Sequence, residues 1–433
     1  MFLLSIPALS IAIAVCALFY VWKCVSSPLW AAPGPFLSRF TPFMLRWNEF
    51  NANRTLYIHS LHLKYGPIVR IAPNEMSFSS YEAVKEIYGS KGSGYDKSTF
   101  YDLFTVFGRR TLFSTLDKTA HAKRKRLLAD RYANSNVLKP ASLNGIENRA
   151  REFARQCGDS TGSSRLFMLY TPTLYKYSSK ILDCFFEPRA TPLADNFVTK
   201  RSKLDDPEEF TLLSRLRSKL GDELAEGDIA SECLDHMVAG IDTTGDVLCF
   251  LIWELSQPRS AQFQDELRRE LKGNPDMAFD KLPVLDSIVQ EGLRCFPAIP
   301  MSLPRVVPKD GRVIDDIFVP EDTIVSSQAY SVQRHHAHVF PEPDRFNPHR
   351  WMSNENDAEM RRHIFAFSYG GRGCIGKHLA YAEMKLLLRE VYSQYQTVPD
   401  PSMTEESMRA HDQIISARPF GQKCLLRFVP TAA

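Results

Sequence analysis

One cysteine of this chain stands where packing cannot explain it. In FSYGGRGCIG, residues 367–376, Cys374 lies among Gly370, Gly371, Gly373 and Gly376, two positions after Arg372. A thiol in a glycine-rich loop is presented for chemistry, as a metal ligand or as a nucleophile, and in either role it acts as the thiolate. A second candidate is AGIDTT, residues 239–244, which sets Asp242 and Thr243 within a long apolar run. A carboxylate and a hydroxyl buried there are costly unless they are paired or used. Thr243 and Thr244 can also bond back to the preceding turn and merely bend a helix. Gly240 leaves room for a group to approach the backbone. Glu291 and Arg294 in EGLR form an i,i+3 pair, and FNPHRW, residues 346–351, adds Arg350. Such a pair alone reads as a surface salt bridge. His335, His336 and His338 lie in an irregular stretch with no carboxylate or cysteine at ligand spacing, which argues against a metal site there.

These groups need elements to hold them. The stretch IASECLDHMVAGIDTTGDVLCFLIWELS, residues 229–256, is apolar over most of its circumference. It predicts a helix buried through the centre, capped at Asp228 and ended by Pro258. Residues 65–80 read as a hairpin, turning at Pro73 and Asn74. Helices are predicted over 120–131, very basic, and over 144–157, 261–271, 282–294 and 377–392. Pro297, Pro300, Pro304 and Pro308 impose extended chain, and short strands are expected over 313–325. Residues 158–206 are the least legible. The fold class is mainly α with small β sheets.

The chain has 433 residues and a net charge of +3, too mild a balance to argue for nucleic acid. Its nine cysteines are scattered and odd in number, which argues against a disulfide framework and for a reducing compartment. Residues 2–22 carry no charge and are long enough to cross a bilayer as a helix. No Lys or Arg precedes them, unlike a cleaved leader. Lys23, Arg39 and Arg46 follow, so the bulk of the chain is expected in the cytosol. Pro28, Pro33, Gly34 and Pro35 stiffen residues 23–40 into a link, leaving 41–433 as the functional domain.

Phe367, Gly370, Arg372, Cys374 and Gly376 fit the pattern F-x-x-G-x-R-x-C-x-G. With AGIDTT, EGLR and FNPHRW ahead of it in that order, the chain resembles the cytochrome P-450 family of haem-thiolate monooxygenases over about its whole length. The resemblance implies the cytochrome P-450 fold with an N-terminal transmembrane helix, and haem b with Cys374 as axial thiolate. Phe367 would pack beside the sulfur. Arg372 and Arg305 would hold the haem propionates. Where many members carry a Trp and, four residues on, an Arg, this chain has His121 and Lys125, with Arg124 adjacent. Glu291, Arg294 and Arg350 match a buried structural cluster that fixes the cysteine loop. Asp242 and Thr243 match the acid–alcohol pair that delivers protons to dioxygen.

The implied partners are an NADPH-dependent flavoprotein reductase, a small apolar substrate and the endoplasmic reticulum membrane, crossed once. Lys123, Arg124, Lys125, Arg126 and Arg131 would form the docking patch for the reductase. The style is that of fungal secondary-metabolism members. One departure stands out: around residues 158–164 the chain is too short for a helix of the family's core bundle. Two alternatives keep the fold, a haem protein without turnover and a non-oxygenating haem-thiolate enzyme. A third, an enzyme with Cys374 as nucleophile, lacks an evident His–Asn partner set.

Overall fold

The computed structural model describes residues 6–159, 164–166, 192–203, 211–220, 226–353 and 357–431. The shortfall expected near 158–164, and most of the stretch 158–206, lie outside them. The first helix, α1, is Ile6–Val25, and α2 is Phe43–Phe50. Strands β1 (Ile68–Ala72) and β2 (Glu75–Phe78) form the expected hairpin, with Val69 opposite Ser77. After β3 (Asp96–Lys97) come α3 (Lys118–Leu128), the long α4 (Glu226–Leu255) and α5 (Pro283–Cys295). Then follow β4 (Arg305–Val306), β5 (Ile324–Ser326), α6 (Lys377–Gln394), β6 (Ala410–Asp412) and β7 (Ala417–Pro419). The short strands Arg312–Ile314 and Ile317–Val319 pair with each other, as expected for that stretch.

The larger sheet runs β1-β2-β5-β4-β3 and is mixed, since β2 pairs with β5 in parallel. Its inner end places Lys97 directly opposite Arg305. The helical layer buries Val247, Leu251 and Leu255 of α4 against Leu285, Ile288 and Val289 of α5 and Leu388 and Val391 of α6. Burying each such aliphatic side chain stabilises by about 1.5–3 kcal/mol relative to exposure. The expectation of a buried α4 holds for this C-terminal half. In its N-terminal half Val238 and Ile241 are exposed among the described residues. Asp228 is not a cap: α4 begins at Glu226, and the Asp228 carboxylate instead accepts from Arg109 Nη1 at 2.9 Å.

The proline-rich link lies on the sheet. The Arg70 N–H donates to the Pro33 carbonyl at 2.7 Å, and Ser38 Oγ donates to the Arg70 carbonyl at 2.8 Å. Residues 33–38 are thereby tied to strand β1.

The transmembrane expectation is not met. Among the described residues no helix is long and apolar enough to cross a membrane. The helix α1 spans 20 residues, and its last turn carries Lys23, a charge that a bilayer interior disfavours.

Candidate functional site

The cysteine loop is folded by its own backbone. Ser368 (φ +60°) and Gly370 (φ +70°) reverse the chain. The Cys374 N–H then donates to the Phe367 carbonyl, and the Gly373 N–H to Gly370, both at 2.9 Å. A Cβ on Gly370 would come within 2.2 Å of the Tyr88 carbonyl oxygen, so only glycine fits that approach. Lys125 Nζ of α3 closes the loop from outside by donating to the Gly371 carbonyl at 3.0 Å and the Gly373 carbonyl at 2.5 Å. Cys374 stands just ahead of α6, where the helix's free N–H groups favour an anion.

The Cys374 side chain is exposed to a cavity that it lines. Protein crowds its other sides, and this desolvation raises the thiol pKa. The Gly376 N–H and the charges of Lys125 and Lys377 act the opposite way, toward the thiolate. Phe367, Arg372, Arg305, His121, Lys125 and Thr243 line the same cavity. These residues, from four separate stretches of sequence, therefore converge on one cavity. Apolar walls come from Leu112, Phe113, Val247, Ile299, Leu303 and Phe365.

One edge of the cavity is a cluster of buried cations. Arg305 and Arg372 are 2% and 7% exposed, and Lys97, opposite Arg305 in the sheet, is 5% exposed. Like charges placed directly opposite across strands destabilise a sheet. Arg305 Nη1 donates to the Tyr101 hydroxyl at 2.9 Å and the Pro304 carbonyl at 3.0 Å. Arg372 donates to the Leu116 carbonyl at 2.8 Å and to the Thr115 carbonyl. Lys97 donates to the Phe113 carbonyl, its ammonium lying 4.2 Å and 4.5 Å from the ring centres of Tyr101 and Phe113. With Lys125, every hydrogen bond of these four cations among the described residues runs to a carbonyl or phenol oxygen, none to a carboxylate.

The strain shows in their acidities. Burial, then Arg305 and Arg372, push Lys97 well below the usual lysine range. Burial and Arg305 lower Arg372 to about 10. Burial, then Arg372 and Lys97, drive His121 to about 2 and so keep it neutral. Asp235 acts on Lys97 in the opposite sense, and its own carboxyl is pushed up by burial. His121 Nδ1 and Arg372 Nε are buried with no hydrogen-bond partner. Paired carboxylates arriving with a flat apolar body would satisfy both the charge and the orphaned donors, which is the chemistry of haem b.

The structure separates the two residues of the distal pair. Thr243 faces the cavity, with its hydroxyl donating to the Ala239 carbonyl at 2.7 Å. Asp242 is not among the cavity-lining residues, and its carboxylate pairs with Arg418 Nη2 of β7 at 3.3 Å. Consecutive helical residues do not share a face. Thr244 also lines the cavity and donates to Glu383 of α6 at 3.4 Å, a contact between the two walls of the site.

Glu291, Arg294 and Arg350 lie behind the loop as a closed set. Arg294 binds Glu291 through two bonds of 2.8 and 2.9 Å, and Arg350 Nε reaches Glu291 at 3.1 Å. The Asn347 N–H and Trp351 Nε1 complete the carboxylate at 2.8 and 2.9 Å. Burial raises the Glu291 carboxyl, but the Arg294 bonds and the Arg350 charge outweigh it and hold the group below the usual range. Gln333 donates to the Arg294 carbonyl at 2.8 Å and accepts from the Phe365 N–H at 2.8 Å. That chain of bonds reaches the residue two before Phe367.

The basic face of α3 is partly turned inward. Lys125 holds the cysteine loop, Arg124 donates to the Arg110 carbonyl at 2.6 Å and pairs with Glu232 at 3.2 Å, and Arg131 lies 3.7 Å from Asp130. Lys123 and Arg126 remain exposed. His335, His336 and His338 do not converge: His335 bonds Ser79 Oγ, His336 bonds the Ser79 carbonyl, and His338 lies near Glu359. Among the described residues only Glu232, Asp235 and His236 bring three donor atoms within 4.8 Å of one another. Glu232 already accepts from the Leu112 N–H and Arg124, and His236 bonds Tyr132 at 2.5 Å.

Lys97 was not legible as a site residue. Its one sequence signal is a lysine among aromatics in GYDKSTFYDLF, residues 94–104.

Comparison with known proteins places this geometry. Residues 176–423, more than half of the chain, match the family model described as Cytochrome P450. The chain is similar to Cytochrome P450 monooxygenase stcB of Emericella nidulans, at 28% identity over 92% of this chain and 88% of that protein. It is similar to Cytochrome P450 monooxygenase tazI of Aspergillus terreus, at 27% identity over 98% of each. Cytochrome P450 monooxygenase aflV of Aspergillus parasiticus matches at 27% identity over 93% of this chain and 91% of that protein.

Proposed function

Because the chain belongs to the cytochrome P450 family and is a haem-dependent monooxygenase whose haem b is held by a cysteine thiolate, we propose that Cys374 is that thiolate. The observation that carries this reading is a single cavity shared by Cys374, a set of carboxylate-free buried cations and Thr243. Arg305, Arg372, Lys97 and Lys125 supply charge for the propionates, and His121 Nδ1 and Arg372 Nε offer bonds that the protein leaves open. When bound, the haem supplies dioxygen activation, the thiolate's electron donation favouring cleavage of the O–O bond. Phe367 shields the sulfur side from water. Glu291, Arg294 and Arg350 hold the loop through Gln333 and Phe365.

On the opposite side Thr243 holds a hydroxyl toward the cavity and Asp242 supplies the proton that the hydroxyl hands on. The substrate is a small apolar organic molecule, a reading supported by the walls of Leu112, Phe113, Val247, Ile299 and Leu303. We place the reaction in secondary-metabolite biosynthesis, on the likeness to fungal monooxygenases.

Electrons come from an NADPH-dependent flavoprotein reductase that docks on the exposed part of α3, Lys123 and Arg126. Residues 1–22 seat the protein at the endoplasmic reticulum membrane, residues 23–40 are the link, and residues 41–433 are the cytosolic catalytic domain. The exposed side chains of Ile11, Leu18 and Trp22 on α1, and of Phe43, Trp47 and Phe50 on α2, favour a lipid surface. The test is Thr243→Ala in the reductase-supported protein. Haem content should be kept while electrons are diverted to hydrogen peroxide. A variant that forms as little peroxide as the parent contradicts the role of Thr243.

A further inference from the structure

Asp246 lies one turn beyond Asp242 on the same face of α4. It is 1% exposed, and among the described residues neither carboxylate oxygen has a hydrogen-bond partner. The cation facing it is Arg418 of β7, with Nε 3.5 Å from Asp246 Oδ1 and Nη2 3.3 Å from Asp242 Oδ2. One guanidinium thus stands between two carboxylates of unequal exposure, since the Asp242 side chain is 41% exposed. Along its own helix Asp246 has Asp242 on one side and the Cys249 thiol on the other, with Cys424 bonded to Cys249 from the last strand.

We propose that Asp246 is a positioning residue that competes with Asp242 for Arg418, and so sets when Asp242 is free to turn toward Thr243. With Asp246 neutral, Arg418 belongs to Asp242 and holds it away from the cavity. With Asp246 ionised, Arg418 closes on the buried charge, which has no other donor, and releases the more exposed carboxylate. Only a proton moves, from Asp246 to solvent and back. Burial, opposed by Arg418 and aided by Asp242, raises Asp246 to about 7, which puts this exchange within the working range.

This inference rests on the reading of Asp242 as proton donor, and the experiment separates the two. The haem-loaded full chain with saturating reductase is followed by NADPH consumption from pH 5.5 to 8.5, corrected for the reductase's own rate with ferricyanide. In parallel, infrared titration follows the carbonyl band of buried protonated carboxyl groups. The parent should speed up several-fold as pH rises through the loss of a carboxyl band. Asp246→Asn should lose that band and stay on the slow branch at every pH. Arg418→Gln should stay on the fast branch at every pH, and it carries the test should Asp246→Asn fail to take up haem. A parent rate without a break at the pH where the band is lost overturns the proposal, as does an Arg418→Gln variant that keeps the break. If Asp242→Asn consumes NADPH like the parent at all pH values, the reading of Asp242 itself falls, and this one with it.

Discussion

Two buried clusters of cations lie within this fold, and they are built in opposite ways. Around Glu291 the charges are matched: one carboxylate takes two arginines, a backbone N–H and an indole N–H, with Glu291 and Arg294 both 0% exposed. Around Arg305 they are not: among the described residues Lys97, Lys125, Arg305 and Arg372 donate only to neutral oxygens, and neighbouring polar atoms are left open. A balanced cluster needs nothing from outside and holds a shape. An unbalanced one raises the energy of the empty protein and lowers it again when anionic groups arrive. Burial alone therefore does not tell structural charge from binding charge; the presence of a protein counter-ion does.

Breaking the matched cluster should have the largest effect. Glu291→Ala leaves Arg294 buried without its partner and should cost about 3–5 kcal/mol of stability. Chemical denaturation and haem content after expression would read it, and a variant that folds and loads haem like the parent would deny the cluster its role. The unmatched cluster should respond with the opposite sign. Lys97→Met removes a repelled charge, so the apo protein should melt at the same temperature or higher. Its haem affinity should fall about tenfold or more, the worth of one charge-assisted bond of about 1.5–3 kcal/mol. A lower apo melting temperature with unchanged haem affinity would erase the contrast.

A smaller effect sharpens it. In the apo protein Lys97 sits well below its ordinary pKa because of burial and the charges of Arg305 and Arg372. Incoming carboxylates offset those causes and raise it. Haem uptake at a pH between the two values should therefore bind a proton, and affinity should fall as pH rises through that window. Haem titration in weak buffer with an indicator dye measures this. Lys97→Met should abolish the uptake, and proton release on binding would refute the account.

What the sequence made legible follows from how local each feature is. The cysteine loop is local: Gly370 and Cys374 are set by turns within ten residues, so their spacing alone announces them. Glu291 and Arg294 are likewise one helical turn apart, and Arg350 follows by motif. Lys97 is different, because a strand pairing brings it opposite Arg305 across most of the chain. Asp242 stood out in the sequence as a carboxylate in an apolar run, but its direction was not legible. Arg418, which turns it from the cavity, sits in a hairpin with no helical period to announce it. The start of α4 was misplaced because Asp228 has the composition of a cap, yet its partner is Arg109 on a distant loop. The expected membrane crossing rested on composition alone, and among the described residues no helix is long and apolar enough to make it.

The central claim is that Cys374 holds the haem as a thiolate, on a loop braced by the matched cluster and against a cradle left charged for it. The most direct measurement is the carbon monoxide difference spectrum of the reduced, membrane-expressed protein. The account predicts the red-shifted band of a thiolate-ligated haem, absent from Cys374→Ser. A blue-shifted band in the parent, or a red-shifted band that survives in Cys374→Ser, would contradict it.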